Sequence, residues 1–227
     1  MPAAPTQTSR VRNILGGSLG NMVEWYDWYV YSAFTLYFAP IFFPAGDRTA
    51  QLLSAAAVFA VGFVMRPIGA WVMGMYADRR GRKAGLTLSV SLMCLGSLMI
   101  ACSPTYATAG LLAPAILIAA RMIQGLSLGG EYGSSATYLS EMAGKERRGF
   151  WSSFQYVTLI AGQLLALALL LLLQSQLGEA GMERIGWRIA FGVGAVLAVV
   201  VFIIRRGLTE TENYEKVAAA GNRHSLC

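Results

Sequence analysis

Charge is what this sequence has least of. Asp, Glu, Lys and Arg together make up 13% of its 227 residues, against 56% hydrophobic. A soluble domain carries about twice that share of charge, so the composition excludes an ordinary water-soluble or disordered chain. Histidine occurs once, at His224 in a polar tail, and cysteine three times, at Cys94, Cys102 and Cys227. Neither type falls at a metal-ligand spacing, and the cysteines make no disulfide framework. The short apolar segment and small-residue cleavage site of a secretory leader are also missing, so the first apolar run is expected to stay as a membrane anchor.

What is abundant is apolar length, with a mean hydropathy of +0.52. Six segments stand out, roughly 13 to 38, 51 to 76, 84 to 102, 110 to 136, 150 to 175 and 187 to 204. Each is long enough for a helix to cross a bilayer, which takes about 20 residues. The expectation is an all-α membrane protein with a six-helix bundle over 13–204, a short N-terminus over 1–12 and the start of a linker over 205–227. The net charge of +6 resides in basic residues bunched between apolar runs. That pattern belongs to loop charge bias at a membrane, so lipid and not nucleic acid is the expected partner. Thirteen of the eighteen Lys and Arg fall on one side of the six segments, which puts both termini in the cytoplasm.

Polar residues inside the apolar segments carry the candidate chemistry. Glu24, Asp27 and Tyr31 are spaced three and four apart on the first segment and share a helix face. Two carboxyls so placed are either a proton site or structural partners of basic residues on neighbouring helices. Arg66 precedes Pro67 in the second segment, and Arg121 lies three before Gln124 in the fourth. A cation at that depth costs at least a few kcal/mol unless it faces protein, water or a counter-charge. Gly125, Gly129 and Gly133 repeat every four residues and give the fourth segment one smooth face for packing. The fifth segment confines Gln155, Tyr156, Thr158 and Gln163 to one half, as a cavity lining or as interhelical hydrogen bonds. An acid pair for an intramembrane enzyme is disfavoured, because no companion motif accompanies Glu24 and Asp27. A faint internal echo pairs Ser18-Leu-Gly20 and Glu24 with Ser127-Leu-Gly129 and Glu131, as three-helix repeats would.

Gly74-x-x-x-Asp78-Arg79-x-Gly81-Arg82-Lys83, between the second and third segments, resembles the signature loop of the major facilitator superfamily. Arg121-x-x-Gln124-Gly125 resembles that superfamily's fourth-helix motif. Gly20-Asn21-x-x-Glu24-Trp25-Tyr26-Asp27, Met65-Arg66-Pro67-Ile68-Gly69 and Gly129-Gly130-Glu131-Tyr132-Gly133 are similar to its metabolite:proton symporters, which carry α-ketoglutarate, citrate, shikimate, and proline or betaine. Ser153-Phe-Gln-Tyr-Val-Thr-Leu-Ile160 and Gly162-Gln-Leu-Leu-Ala166 are similar to the α-ketoglutarate carriers of that group.

The resemblance implies the amino-terminal half of a twelve-helix fold, built as two inverted three-helix repeats, with a carboxyl-terminal six-helix half as its missing partner. It implies symport of α-ketoglutarate or a similar dicarboxylate across a bacterial inner membrane, driven by the proton gradient with no cofactor or metal; the alternatives are a symporter of the same group for proline or betaine, citrate or shikimate, and a membrane fragment without transport activity. Arg121 is the expected carboxylate contact, with Arg66 either a second contact or a structural partner of an acid, and Gln124, Tyr31, Gln155, Tyr156 and Gln163 are hydrogen-bond candidates. Glu24 and Asp27 are the implied proton carriers. Gly74, Asp78, Arg79, Gly81, Arg82, Lys83 and Glu131 form the implied cytoplasmic gate, with Asp78 expected to bond to nearby Arg residues and Glu131.

Overall fold

Residues 7–142 and 148–207 are described by a computed structural model, and within them the ordered elements are all helices. The linker positions 208–227, the first six residues, and Lys145 and Arg147 from the basic set lie outside the described residues. The chain runs α1 (Gln7–Phe42), α2 (Arg48–Arg80), α3 (Arg82–Ala101), a short α4 (Tyr106–Ala109), α5 (Leu112–Met142) and α6 (Arg148–Gly181). A π turn at Met182–Gly186 leads into α7 (Trp187–Arg206).

The long helices start and stop for local reasons. Asp47 caps α2 by accepting a hydrogen bond from the Thr49 backbone N–H at 2.9 Å. The helix then stays continuous through Pro67 and ends where Gly81 adopts φ 105°, a conformation that only glycine enters without strain. A second such break, Gly178 at φ 62°, divides the long apolar run of α6 and α7.

Among the described residues, four stretches are long and apolar enough to cross a membrane: Arg48–Arg80, Arg82–Ala101, Leu112–Glu131 and Ser153–Arg206. Six separate crossings were expected, and the difference has two causes. The last stretch holds 54 residues and is folded at Gly178, so it contains two helices. α1 is not among the four because Asn21, Glu24, Asp27 and its Trp and Tyr residues dilute its apolar character.

α1 is the hub, packing on α2, α5, α6 and α7. Its face of Tyr26, Val30, Tyr31, Phe34, Phe38 and Phe42 is fully buried against Ala55, Val58, Leu117 and Phe191. Rings meet edge-on along it, Tyr31 to Phe38 at 4.8 Å and Phe42 to Trp187 at 5.2 Å between centroids. Between helices in lipid there is no water to expel, so close backbone approach and hydrogen bonds supply the adhesion. α2 and α5 show that approach directly. A Cβ added at Gly125 would meet the Gly62 carbonyl, and one at Gly129 the Arg66 carbonyl. Hydrogen bonds tie α1 to its other neighbours: Asn21 Nδ2 donates to the Gln155 carbonyl at 2.8 Å, and Tyr26 donates to the Ala190 carbonyl at 2.9 Å.

Candidate functional site

The buried face of α1 carries three polar levels along the bundle. Nearest the α2–α3 corner, Arg205 of α7 makes a two-pronged pair with Glu131 of α5, its Nη1 reaching Oε2 at 2.9 Å and its Nη2 reaching Oε1. Nη1 also donates to the Leu86 carbonyl of α3, and both side chains are fully buried. Gly20 of α1 makes the room, since a Cβ there would coincide with the guanidinium. One turn deeper, Glu24 Oε1 accepts from Ser127 Oγ at 2.6 Å and Ser89 Oγ at 3.1 Å. Each hydroxyl also lies 2.8 Å from the other serine's backbone carbonyl, so its one proton is shared between that carbonyl and the carboxylate, and α3 and α5 meet closely behind Glu24.

The deepest level gathers Asp27, Ser97, Gln124 and Arg121. Ser97 Oγ donates to Asp27 Oδ1, and Gln124 Nε2 donates to Asp27 Oδ2. Gln124 Oε1 in turn accepts from Arg121 Nη1 at 2.6 Å, while Arg121 lies 3.9 Å from Asp27 Oδ2. Gln124 therefore works as a bridge that holds a cation and an anion in register. It can do so because Gly96 leaves its side chain the space a Cβ would take.

Aromatic rings complete the arrangement. The Arg121 guanidinium lies 4.2 Å from the Trp28 ring centre, 4.4 Å from that of Tyr31 and 5.3 Å from that of Phe59. Arg66 lies 4.1 Å from the same Trp28 ring and 4.2 Å from Phe63. Two guanidiniums thus crowd one indole, the contact of the enclosed Arg121 worth about 2 kcal/mol or more and that of the half-open Arg66 less. Neither cation is saturated: Nε and Nη2 of both Arg66 and Arg121 are buried without a hydrogen-bond partner. Such donors carry a desolvation penalty of about 1–3 kcal/mol each, more when charged, and an anion would relieve it. Arg121 is fully enclosed, whereas Arg66 lines an open cavity of about 370 Å³ with Trp25, Pro67, Ala70, Leu128 and Gly129.

The remaining candidates fall elsewhere. The Tyr31 hydroxyl donates to the Ala55 carbonyl at 2.9 Å, leaving its ring and not its oxygen beside Arg121. Gln155 is buried between helices, accepting from Ser135 Oγ at 3.1 Å. Tyr156 and Gln163 share an open face of α6, about a quarter turn round from Gln155. At the corner, Asp78 pairs with Arg82 at 2.6 Å, both partly exposed, and Gly74 has no neighbour within 4 Å of where its Cβ would be. Gly81 makes the turn there, and Lys83 Nζ donates to the Arg206 carbonyl at 2.9 Å. Arg79 is exposed at the end of α2. The expected link between Asp78 and Glu131 is replaced by two separate pairs, because Arg205 reaches the buried Glu131 from α7. The sequence reading passed over Arg205, Ser89 and Ser97, which the fold turns into the partners of Glu131, Glu24 and Asp27.

Comparison with known proteins places this arrangement. The family described as "Sugar (and other) transporter" matches residues 14–220. The chain is 58% identical over 206 residues to an α-ketoglutarate permease of Escherichia coli K12, covering 91% of this chain and 48% of that protein. It is 39% identical over 201 residues to a citrate-proton symporter of Salmonella typhi, covering 88% and 46%. The chain spans about half the length of the curated relatives it matches. Its fold is that of half the xylose transporter XylE from E. coli in a partially occluded inward open conformation, at a TM-score of 0.81 and 20% identity, covering 93% of this chain and 51% of that one.

Proposed function

The chain belongs to the sugar (and other) transporter family of the major facilitator superfamily, whose members are membrane transporters and not enzymes, and on that premise we propose that it forms the amino-terminal six-helix half of a proton-coupled symporter importing α-ketoglutarate or a similar dicarboxylate. The observation that carries the reading is the Trp28 ring crowded by Arg66 and Arg121, each with unpartnered N–H groups, beside two buried acids. Identity of 58% to an α-ketoglutarate permease supports the choice of substrate.

On this reading a carboxylate enters the cavity beside Trp25 and meets Arg66 first, because Arg121 is sealed behind Trp28. A planar guanidinium can offer two parallel N–H bonds to a carboxylate, which suits both arginines to a dicarboxylate. Arg121 is reached once Trp28 or Gln124 shifts. Asp27, joined to Arg121 through Gln124, and Glu24, held by Ser127 and Ser89, carry the proton. α1–α3 and α5–α7 are the two inverted repeats, both termini lie in the cytoplasm of a bacterial inner membrane, and a second six-helix half closes the site from the other side. The pair of Asp78 with Arg82 and that of Glu131 with Arg205 stabilise the cytoplasmic closure.

Uptake of labelled α-ketoglutarate into proteoliposomes of the intact carrier, with and without an inward proton gradient, tests this. Gradient-dependent accumulation is expected, with α-ketoglutarate preferred over citrate, shikimate and proline. Arg66→Lys is expected to reduce uptake at least tenfold while preserving insertion. Unchanged uptake by Arg66→Lys and by Arg121→Lys would remove the arginines from the substrate site. Accumulation that survives Glu24→Gln combined with Asp27→Asn would remove α1 from the proton path.

A further inference from the structure

Where α2 turns into α3, a separate cavity of about 470 Å³ opens between the two helices, lined by Tyr76 and Arg80 of α2 and by Lys83, Thr87, Leu88 and Ser91 of α3. It lies outside the polar levels of α1, and none of the residues around Trp28 touches it. Two of its lining side chains are cations and none is acidic. Arg80 is exposed, while Lys83 is anchored by its hydrogen bond to the Arg206 carbonyl at the end of α7. The Thr87 and Ser91 hydroxyls donate to the Lys83 and Thr87 carbonyls at 2.8 Å, so their protons serve the helix. The charged residues of the lining are therefore Arg80 and Lys83, both positive, and their charge favours an anion.

The surface beyond the cavity specifies what kind of anion. Ala84, Leu88, Ser91, Leu95 and Leu98 fall on one line of α3 at alternating spacings of three and four. Leu95 and Leu98 are 48% and 49% exposed. From Lys83 to Leu98 this strip extends about 22 Å at 1.5 Å per residue. A soluble anion would use the cations alone, whereas a molecule with a charged head and long apolar chains engages the cations and the strip together. The cations also lie in the basic corner, where positive residues gather at a membrane surface.

We propose that this groove is a binding site for the headgroup of an anionic phospholipid, with its acyl chains laid along the Leu88–Leu95–Leu98 strip of α3. Binding draws on charge from Arg80 and Lys83 and on apolar contact from α3, so it weakens both with added salt and with shortened chains.

The test uses the intact protein, mildly delipidated in detergent and titrated with phosphatidylglycerol or phosphatidylcholine, with bound lipid counted by native mass spectrometry. One tightly retained phosphatidylglycerol is expected, with clear preference over phosphatidylcholine. Each cation near a membrane surface contributes about a fivefold factor, so Arg80→Gln should weaken retention about fivefold and Arg80→Gln with Lys83→Gln about 25-fold. Arg48→Gln, at the opposite end of α2, should leave it unchanged. Because Lys83→Gln also loses the bond to Arg206, the single Arg80→Gln variant decides the matter if the double variant misfolds. Equal retention by Arg80→Gln and the parent protein, or equal retention of the two lipids, overturns the proposal. Displacement by millimolar inorganic phosphate, with no dependence on acyl length, overturns it in favour of a free anion.

Discussion

Changing Glu131 to Gln probes the most enclosed ion pair in the described bundle. Arg205 and Glu131 are both fully buried and meet through two N–H···O contacts, with the Leu86 carbonyl as a further acceptor. Removing one charge leaves the other without its counter-ion in a place water does not reach. Breaking such a pair costs about 3–5 kcal/mol, with the lower figure applying here because a Gln oxygen still accepts one bond. At about 2–4 °C of melting midpoint per kcal/mol for a chain of 150–250 residues, a loss of roughly 6–12 °C is expected. Arg205→Met should cost as much, since it strands the carboxylate. The double variant should lose less than the sum of the singles by about 2 kcal/mol or more, the signature of direct coupling. Thermal melts of the intact carrier in detergent, followed by tryptophan fluorescence, give all four corners of the cycle. Additive losses, or single variants within about 2 °C of the parent, would refute the reasoning. High salt should leave the effect intact, because screening acts on exposed charges and not on an enclosed pair.

Three further outcomes follow from the packing. Gly129→Val drives a side chain into the Arg66 carbonyl and should abolish a monodisperse peak in size-exclusion chromatography, whereas Gly192→Ala, with nothing within 4 Å, should leave it unchanged. Tyr31→Phe loses the bond to Ala55 and about 1 kcal/mol of stability, seen as a small drop in melting midpoint, but keeps uptake. Tyr31→Leu removes the ring beside Arg121 and should lower uptake several-fold. Asp78→Asn breaks a partly exposed pair between neighbouring turns, worth about 0.5 kcal/mol or less, so the melt should barely move and any loss of uptake reflects gating.

Much of this was legible in the residues because helical periodicity fixes which side chains share a face. Glu24 and Asp27 point the same way on α1, and Gly125 and Gly129 meet α2 as their spacing implies. Periodicity also held an unread signal. The buried stripe of α7 runs Trp187, Ala190, Phe191, Gly194, Ala198, Val201 and then Arg205, so Arg205 falls inward while Arg206 falls outside it. Their adjacency alone does not tell the two apart. Ser89 and Ser97 likewise stand on the buried stripe of α3 with Leu86, Met93 and Ile100, whereas Ser91 lies off it and bonds to its own helix. What no spacing could reveal is which helix faces which. That Gln124 meets Asp27, that Trp28 lies against both arginines, and that Gln155 turns inward while Tyr156 and Gln163 do not all depend on how the helices cross.

The crossing also explains why substrate and proton would travel together on the proposed reading. Arg66 and Arg121 against Glu24 and Asp27 form a set that is neutral when all four are ionised, yet the two arginines keep unpartnered donors. A dicarboxylate satisfies those donors but adds two negative charges at membrane depth, where unbalanced charge is expensive. Protonating one of the buried acids removes part of that excess without disturbing the arginine donors. Gln124 makes the exchange local, because it touches both Asp27 and Arg121 and so reports the state of one to the other. Coupling on this reading needs no signal across the bundle. It follows from one shared amide and from a charge balance that a bound dianion would upset and each incoming proton would restore in part.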